Sequence, residues 1–540
     1  MPAGLTGNAA DADGVAAAQA WQAIDPDPVT RAELDALMAL DDPAPLRRRF
    51  AGRLQFGTAG IRGELGAGPT RMNRVTVRRA TAGLAAYLLA TRPDAAERGL
   101  VVCCDARVNS EVFALDTARV AAALGLPALL LPRPQPTPVL AWSVSRLGAV
   151  GGVMITASHN PPRDNGYKVY LDDGSQIVSP VDVEIAEAID AVELGAIRLV
   201  DEDDSLVRHL GEDVVHAYLD AVPGVRMDPS LTAVEVAYTP MHGVGGATLV
   251  AAFERAGWPA PHVVQEQFEP DAAFPTVAFP NPEEPGAMDL VMALAREVGA
   301  DIALANDPDA DRLGVAIPMP DGGWRRLGGD EIGWLLADHI LARTHGADRL
   351  VVTTLVSSSL LGRMAEEAGV HYAETFTGFK WIAETARRHP ELRFVFGYEQ
   401  ALGYLVTDQP RDKDGITAAV LMAEVAARAR ADGRTLQGRL DGIAARFGRH
   451  VSVERSVRME PAVAAVRVAE LRSRPPESLA GRAVDEVTAY EEANLLRLQC
   501  GASRVQVRPS GTEPKLKVYG EGVGEDPNPF VEAVVSLLTD

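Results

Sequence analysis

The chain has 540 residues, and at roughly 150 residues per domain this length predicts three or four domains. Apolar residues make up 47% and charged residues 23% of it, which excludes a disordered or fibrous protein. Its 52 basic and 74 acidic residues give a formal charge of −22, and such a surface repels nucleic-acid phosphates. We therefore expect no nucleic-acid partner, and an anionic substrate must enter a local basic patch.

The sequence also indicates where the protein works. No apolar stretch approaches the roughly 20 residues of a membrane span, and the first residues lack the basic and apolar regions of a secretory signal. The three cysteines (Cys103, Cys104 and Cys500) form no CxxC pair, which argues against a disulfide scaffold or a zinc cage. We expect a cytoplasmic monomer or homodimer with no membrane partner.

Lysine is rare in this chain. Only five of the 52 basic residues are lysines: Lys168, Lys380, Lys413, Lys515 and Lys517. An ammonium is a compact point charge whereas a guanidinium is a planar fork, so these positions are candidates for a specific role.

After an N-terminal segment with one or two short predicted helices, one pattern appears three times. An apolar strand ends in a small-residue turn, a helix follows, and a second strand, a second helix and a third strand complete the unit. Each first helix stops at a glycine, as a left-handed cap requires: Gly125, Gly257 and Gly369. The third strands end in the loops TASHNPP, NDPDADR and GYEQALGY.

Strands that alternate with helices predict three α/β domains with mixed, mostly parallel sheets. Because ligands bind beyond the carboxyl ends of such strands, we expect the three loops to line one central cleft. The pattern breaks at about residue 443, where we expect a smaller α+β domain. The predicted domains are residues 1–222, 223–325, 326–442 and 443–540.

The first loop places the hydroxyl of Ser158 on a strand-end turn, where it could be a nucleophile or a phosphate carrier. The chain lacks a G-x-S-x-G motif at this serine, which disfavours an α/β-hydrolase. Gly166 permits a sharp turn after the loop, so Lys168 could fold back beside Ser158. An ordinary capped turn is the alternative.

The second loop alternates three carboxylates, Asp307, Asp309 and Asp311. They can converge on one hard cation, for which Mg²⁺ fits best, and leave positions open for a phosphoryl oxygen. An EF-hand is excluded because Arg312 and Pro318 replace the required Gly and Glu. A solvated acidic turn is the alternative.

The remaining segments point to a sugar phosphate. Glu399, between glycines and tyrosines, suits sugar hydroxyls, although a plain hairpin is also possible. The segment from Arg508 to Lys515 resembles a phosphate cradle, or else a β-turn, and no Walker motif occurs in the chain. Arg62, in FGTAGIRG, could approach an anion. Together these segments favour phosphoryl transfer on a sugar phosphate.

TASHNP, DPDADR, GYEQALGY with RDKDG, and RPSGTEPK stand in the order found in the α-D-phosphohexomutase superfamily, which the sequence resembles over roughly residues 50–525. That superfamily includes phosphoglucomutases and phosphomannomutases. The FGTAGIRG segment and the sugar loop resemble the branch that contains bacterial phospho-sugar mutases and phosphopentomutase-like enzymes.

The resemblance implies four domains around a central cleft and a phosphoserine mechanism with a bisphosphosugar intermediate. Ser158 would carry the phosphoryl group, and Mg²⁺ would be held by Ser158, Asp307, Asp309 and Asp311. The implied catalytic residues are Ser158, Arg62, His159, Asn160 and Lys168. The implied substrate-binding residues are Arg312, Gly378, Lys380, Glu399, Lys413, Arg508, Ser510, Gly511, Thr512 and Lys515.

The resemblance further implies interconversion of hexose 1-phosphate and hexose 6-phosphate, with glucose favoured, mannose possible and glucose 1,6-bisphosphate as activator. A phosphopentomutase, a glucose 1,6-bisphosphate synthase and a phosphatase stay open as alternatives. Many hexomutases carry serine where this chain has Ala401, which leaves the sugar preference open. A sugar-phosphate-binding regulator without activity would lack residues of a catalytic loop. Ser158 and the three aspartates are all present, which argues against such a regulator.

Overall fold

A computed structural model describes residues 9–57, 60–509 and 515–539 of the chain. It divides into two compact units, Met1–Arg326 with Gly403–Ala427, and Leu327–Leu402 with Arg428–Asp540. Mixed sheets and interleaved helices confirm the predicted α/β class with a smaller α+β domain at the C-terminal end. Across the described ranges, we find no helix with both the length and the apolar composition that crossing a membrane requires.

The N-terminal segment holds three helices, where the sequence predicted one or two. They pack around buried Trp21, Leu34 and Leu46. The helices are α1 (Ala9–Gln22), α2 (Pro28–Met38) and α3 (Ala44–Phe50).

The first sheet has the strand order β1-β5-β4-β2-β3-β6. Strands β2, β3, β4 and β6 run parallel, while β5 and β1 add antiparallel strands at one side. Every residue of β2 is buried, as expected for a parallel strand that is covered on both faces. The elements are β1 (Ile61–Glu64), α4 (Arg74–Thr91), α5 (Ala95–Arg98), β2 (Leu100–Cys104), α6 (Ser110–Ala123), β3 (Ala128–Leu130), α7 (Thr137–Leu147), β4 (Gly151–Ile155), β5 (Asp164–Leu171), α8 (Val181–Asp190), β6 (Val207–His209) and α9 (Asp213–Ala221).

The second sheet has the order β11-β10-β9-β7-β8. Strand β7 pairs in parallel with β8 and β9, and β10 and β11 continue the sheet as antiparallel strands. The elements are β7 (Val236–Thr239), α10 (Gly245–Arg255), β8 (His262–Val263), α11 (Gln265–Phe268), α12 (Asp289–Val298), β9 (Ile302–Ala305), β10 (Gly314–Pro318) and β11 (Trp324–Arg326).

The third repeat begins the second unit. Its central strand β12 pairs in parallel with β13 and β14. The elements of the second unit up to this point are α13 (Gly329–Arg343), β12 (Arg349–Thr354), α14 (Leu360–Ala368), β13 (His371–Thr375), α15 (Lys380–Arg388) and β14 (Arg393–Glu399). The chain then returns to the first unit with β15 (Gly403–Leu405) and most of α16 (Gly415–Ala431). The first turns of α16 are buried on all sides. The second unit continues with α17 (Leu436–Phe447).

The C-terminal sheet is entirely antiparallel, with the order β16-β22-β21-β20-β19. Helices α18 and α19 pack on it around buried Leu498, Val518 and Phe530. The elements are β16 (His450–Arg458), α18 (Pro461–Ser473), β17 (Ser478–Leu479), β18 (Arg482–Ala483), β19 (Glu486–Tyr490), β20 (Leu495–Cys500), β21 (Ser503–Pro509), β22 (Lys515–Val523) and α19 (Asn528–Thr539).

The predicted helix-terminating glycines are confirmed. Gly125, Gly257 and Gly369 have φ angles of 87°, 75° and 62°, which place them in the left-handed region. Three repeats that end their first helix in the same way also agree with the repeated pattern in the sequence.

The sharp turn predicted at Gly166 is wrong, because residues 164–171 form strand β5. Strand β5 lies between β1 and β4, and a Cβ atom on Gly166 would come within 2.4 Å of the Thr156 carbonyl oxygen and 2.9 Å of the Ile61 carbonyl oxygen. The glycine therefore allows the close approach of three backbones. Lys168 reaches its position by pairing with Met154 of β4.

A buried polar network joins the C-terminal sheet to the third repeat within the second unit. Arg504 Nη2 donates to the Ser357 carbonyl oxygen at 2.6 Å, and Glu521 accepts from Ser358 Oγ at 2.5 Å. Asp330 lies at the start of α13 in this network, where its Oδ1 accepts from the Ser358 N–H at 2.8 Å and from Tyr398 Oη at 2.9 Å. Burial, with a smaller contribution from Glu521, raises the pKa of Asp330 to about 6.

This shift predicts a pH-dependent stability. An aspartate in an unfolded chain has a pKa of about 4, so the folded state retains a proton that the unfolded chain releases. The free energy of unfolding should therefore fall as the pH rises from about 4 to about 6 and level off above. In Asp330→Asn the acceptor Oδ1 stays and the titration is lost. Its stability relative to wild type should rise by on the order of 2 to 3 kcal/mol over this interval.

The measurement is the melting temperature Tm of both proteins from pH 4.5 to pH 7.5. Asp441→Asn removes an exposed acid of the same unit and serves as the control. Parallel pH profiles of Asp330→Asn and wild type would contradict the prediction.

Candidate active site

The loop after β4 holds a buried serine against a carboxylate of another domain. Ser158 is only 2% exposed, and its Oγ donates to Asp307 Oδ2 at 2.9 Å. Its backbone φ of 53° is in the left-handed region, which is rare for a residue with a side chain. His159 Nδ1 lies 3.3 Å from the same hydroxyl.

The three aspartates that follow β9 converge, as the sequence predicted. Asp307, Asp309 and Asp311 are buried, and one carboxylate oxygen of each lies within 4.8 Å of the others. Two backbone hydrogen bonds from other segments fix this loop: the Thr137 N–H donates to the Asp309 carbonyl oxygen and the Val244 N–H to that of Pro308, both at 2.9 Å.

Two of the five lysines neutralise this cluster. Lys168 Nζ donates to Asp309 Oδ2 at 2.7 Å and to Asp311 Oδ2 at 3.0 Å. Lys413 Nζ lies 3.2 Å from Asp311 Oδ2 and is itself held by Asp412. The structure thus places Lys413, which the resemblance assigned to substrate binding, beside the acidic cluster.

The charged groups of this cluster shift one another's pKa values. Burial alone lowers the pKa of Lys168, but the carboxylates of Asp309 and Asp311 outweigh it and hold this pKa above its ordinary value. Burial raises the pKa of Asp311, yet Lys168 and Lys413 bring it well below its usual range. Burial together with Asp309 and Asp311 raises the pKa of Asp307 well above its usual range.

The imidazole next to the serine is neutral at pH 7. Burial, then the cations Arg312 and Arg62, lower the pKa of His159 well below its ordinary value. The Asn160 side chain donates from Nδ2 to Asp164 Oδ2 at 3.0 Å, and this hydrogen bond stays within the serine loop.

The acidic cluster fits a hard divalent cation. The Oδ1 atoms of Asp309 and Asp311 are buried and have no hydrogen-bond partner among the described residues. Buried carboxylate oxygens without donors are costly unless a cation binds them, and oxygen ligands are those that Mg²⁺ prefers. The Ser158 hydroxyl adjoins the same cluster through Asp307, so all four ligands that the resemblance implies lie together.

Gly243 packs against the loop that carries Asp307, Asp309 and Asp311, and sequence reasoning missed it. A Cβ atom at this position would lie 2.4 Å from Pro308 Cα and 2.5 Å from the Pro308 carbonyl oxygen, so a side chain must displace the loop. We predict that Gly243→Ala lowers the affinity for Mg²⁺ about 10-fold, as loss of support for a metal ligand typically does.

Isothermal titration of Mg²⁺ into both proteins tests this. Gly224→Ala is the matched control, because a Cβ atom there would meet no described atom within 4 Å. An unchanged affinity in Gly243→Ala would show that the loop does not depend on this packing.

Three of the predicted substrate-binding residues, Gly378, Lys380 and Glu399, belong to the second unit. Glu399 ends β14, and its Oε1 accepts from the Gly378 N–H at 3.0 Å, so the structure brings these two residues together. Lys380 is the first residue of α15, two positions after Gly378. Arg312, by contrast, directly follows Asp311 in the first unit, where its Nη1 donates to Glu283 Oε2 at 3.4 Å.

The predicted phosphate cradle lies between two paired strands of the second unit. Arg508 is the next-to-last residue of β21 and pairs with Lys517, and Lys515 begins β22. The Arg508 side chain also hydrogen-bonds to Tyr519. Ser510, Gly511 and Thr512 lie outside the described residues.

Sequence reasoning also missed residues that hold the site in place. Thr137 Oγ1 donates to Asp309 Oδ2 at 2.6 Å, and Arg107 donates to carbonyls of the serine loop. Only the position of Arg107 in the sequence could have indicated its role. The segment DAR directly follows the first strand of the first repeat, and ligands bind at that edge of such a sheet.

All four parts of one family model match the chain. The models of phosphoglucomutase/phosphomannomutase α/β/α domains I, II and III match residues 53–195, 216–319 and 328–447, and that of the C-terminal domain matches residues 463–528. The chain belongs to the phosphoglucomutase/phosphomannomutase family. It is a phosphosugar mutase, that is, an isomerase that transfers phosphate intramolecularly.

Individual relatives carry several names within this family. The "Probable phosphomannomutase" of Haemophilus influenzae is 42% identical over 467 residues, which cover 84% of this chain and 94% of that protein. The phosphopentomutase of Mus musculus is 36% identical over 457 residues, or 80% of this chain and 74% of that one. The glucose 1,6-bisphosphate synthase of Homo sapiens is 34% identical over 551 residues, or 93% and 88%.

Proposed function

We propose that this phosphosugar mutase interconverts hexose 1-phosphate and hexose 6-phosphate, with glucose phosphates preferred and mannose phosphates also turned over. The observation that carries the proposal is the hydrogen bond from Ser158 Oγ to Asp307 Oδ2, which joins a carrier hydroxyl to a cation-binding carboxylate cluster. The similarity to the Haemophilus influenzae protein supports a hexose substrate.

In the proposed cycle Ser158 begins as a phosphoserine. A free hydroxyl of the bound sugar phosphate attacks the phosphorus, the bond to Ser158 Oγ breaks, and the proton of the sugar hydroxyl ends on Ser158 Oγ. The bisphosphosugar then reorients within the site, so that its other phosphoryl group faces Ser158. That group passes back to Ser158, and the isomer leaves. Catalysis of such a transfer consists mainly of positioning and charge neutralisation.

The residues divide this work between them. Lys168 stays charged between Asp309 and Asp311 and supplies positive charge next to the carrier serine, together with Arg62. Ser158, Asp307, Asp309 and Asp311 would hold Mg²⁺. When bound, that cation would offset the negative charge of the phosphoryl oxygens.

The sugar and its distal phosphate are assigned to the second unit. We propose that Glu399 accepts hydrogen bonds from sugar hydroxyls, near Gly378 and Lys380. Arg508, Ser510, Gly511, Thr512 and Lys515 would bind the distal phosphate. Glucose 1,6-bisphosphate would activate the enzyme by phosphorylating Ser158.

Two other activities compete with this proposal. The mouse relative is a phosphopentomutase and the human relative a glucose 1,6-bisphosphate synthase, both at comparable identity. Ala401 in the sugar loop supplies no hydroxyl to the substrate, and this favours keeping the pentose candidate in the test.

The test is a coupled assay with glucose 1-phosphate, Mg²⁺ and trace glucose 1,6-bisphosphate, in which mannose 1-phosphate and ribose 1-phosphate serve as rival substrates. The proposal expects bisphosphate-stimulated turnover, with the highest kcat/KM for glucose 1-phosphate. A higher kcat/KM for ribose 1-phosphate would establish the phosphopentomutase. Accumulation of the bisphosphate from an added phosphoryl donor, with no isomerisation, would establish the synthase.

A further inference from the structure

The carrier serine is held at both of its peptide groups. Its N–H donates to Thr156 Oγ1 at 2.8 Å, and its carbonyl oxygen accepts from Arg107 Nη2 at 2.5 Å. Its φ of 53° is unfavourable for a residue with a side chain, and such a conformation persists only where the surroundings fix it. The groups that bind the two peptide groups therefore decide where the Ser158 hydroxyl lies.

Arg107 binds the whole loop and not only the serine. Its Nη2 donates to the carbonyl oxygens of Ser158 and Asn160 at 2.5 and 2.6 Å, and its Nη1 to those of Pro161 and Asp164 at 2.8 and 3.1 Å. Four carbonyl oxygens that face one planar fork define a single loop conformation.

The same guanidinium exposes no donor to a phosphate. Its Nε lies 3.2 Å from Asp105 Oδ2, its side chain is 0% exposed, and the ring of Phe274 lies 5.0 Å from its central carbon. Because the four Nη hydrogens serve carbonyl oxygens and Nε faces a carboxylate, Arg107 acts on the reaction only through the loop. It is a positioning residue.

Asp105 connects the two ends of this arrangement. Its Oδ1 accepts from the Arg107 N–H at 3.0 Å and from Ser110 Oγ at 2.6 Å. Its carboxylate also interacts with the side chain of Thr156, the residue whose Oγ1 accepts from the Ser158 N–H. One buried ion pair thus governs both peptide groups of the serine.

We infer that the Asp105–Arg107 pair keeps Ser158 in its left-handed conformation and thereby directs the phosphoryl group to the sugar hydroxyl and not to water. This inference rests on the proposed function, in which Ser158 carries the phosphoryl group. Transfer to a bound sugar requires alignment of the attacking oxygen, the phosphorus and Ser158 Oγ, whereas water can approach from many directions. A loosened loop should therefore lose transfer and keep hydrolysis.

Arg107→Lys is the decisive variant, because one ammonium cannot span four carbonyl oxygens. The full-length protein is phosphorylated with labelled glucose 1,6-bisphosphate, and the label is followed in a single turnover with and without glucose 1-phosphate. We expect transfer to the sugar to fall about 100-fold, as a displacement of about 1 Å at a reacting group typically costs. Hydrolysis of the phosphoserine should not slow, and KM should stay close to that of wild type.

Arg349→Lys is the matched control. Arg349 is also buried, at 6% exposure, and it donates to four backbone carbonyl oxygens, those of Leu341, Thr344, Gly346 and Ala368, within the second unit. This variant should lose stability and keep the wild-type ratio of transfer to hydrolysis. If Arg107→Lys does not fold, Asp105→Asn, which keeps the size of the side chain, should shift the ratio in the same direction.

The outcomes separate the two ideas. A wild-type ratio in Arg107→Lys, or in Asp105→Asn where the lysine variant does not fold, overturns the inference and leaves the proposed function standing. Equal losses in the Arg107 and Arg349 variants reduce Arg107 to a stabilising residue and also overturn it. If wild type takes up no label on Ser158, the proposed function fails and the inference fails with it.

Discussion

Ser158→Ala is expected to lower the rate of isomerisation by roughly 10⁴- to 10⁶-fold, the range that follows removal of a nucleophilic residue. The variant lacks the oxygen that donates to Asp307 Oδ2, so the phosphoryl group has no carrier. The hydroxyl of Thr156, two residues earlier, cannot replace it, because Thr156 Oγ1 accepts a hydrogen bond from the Ser158 N–H.

The measurement combines kcat in the coupled assay with uptake of label from glucose 1,6-bisphosphate. Ser143→Ala is the matched control: Ser143 is buried in the same domain, and its Oγ donates to the Val139 carbonyl oxygen at 2.7 Å. We expect wild-type uptake of label in the control and none in Ser158→Ala. Label retained by Ser158→Ala would place the carrier elsewhere.

Loss of a metal ligand is expected to have the second largest effect on activity. In Asp309→Asn one anionic ligand is lost, while Thr137 and Lys168 still hold the side-chain oxygen at Oδ2. A hard cation binds an amide less well than a carboxylate, so we expect the affinity for Mg²⁺ to fall at least about 100-fold, the upper end for loss of an outer-shell group. Chelation of the metal should stop turnover of wild type.

A stability readout separates metal binding from catalysis. Mg²⁺ should raise the Tm of wild type, because it binds the folded state, and should leave the Tm of Asp309→Asn unchanged. Asp182→Asn, at a buried aspartate of α8, should behave as wild type. A Tm of Asp309→Asn that rises with Mg²⁺ as in wild type would contradict the assignment of this ligand.

Much of the fold was accessible from the sequence because its signals are local. The alternation of strands and helices, and the glycines that end the first helices, depend on neighbouring residues, and both predictions are confirmed. The convergence of Asp307, Asp309 and Asp311 is of the same kind, since they alternate directly after one strand. The scarcity of lysine pointed to Lys168 and Lys413 before any contact was known.

The features that sequence reasoning missed depend on partners far along the chain. Arg107 binds carbonyls about fifty positions later, and backbone carbonyls carry no sequence signal. Gly166 follows an asparagine, which locally favours a turn, yet its backbone lies between two strands that decide its conformation. Lys413 lies about one hundred residues from Asp311, so only the folded chain reveals that pair.

The discontinuity of the first unit has a consequence for synthesis on the ribosome. Residues up to 326 emerge first, but Lys413 and Glu424 belong to the same unit and are made later. At a synthesis rate of about 5 to 20 residues per second, Lys413 is made roughly 5 to 20 s after Asp311. In that interval Arg226, which pairs with Glu424 in the finished protein and is buried there, has no counterion from that segment. The nascent chain therefore passes through a stage with unpaired charges, and a truncated chain ending at residue 326 would remain in it.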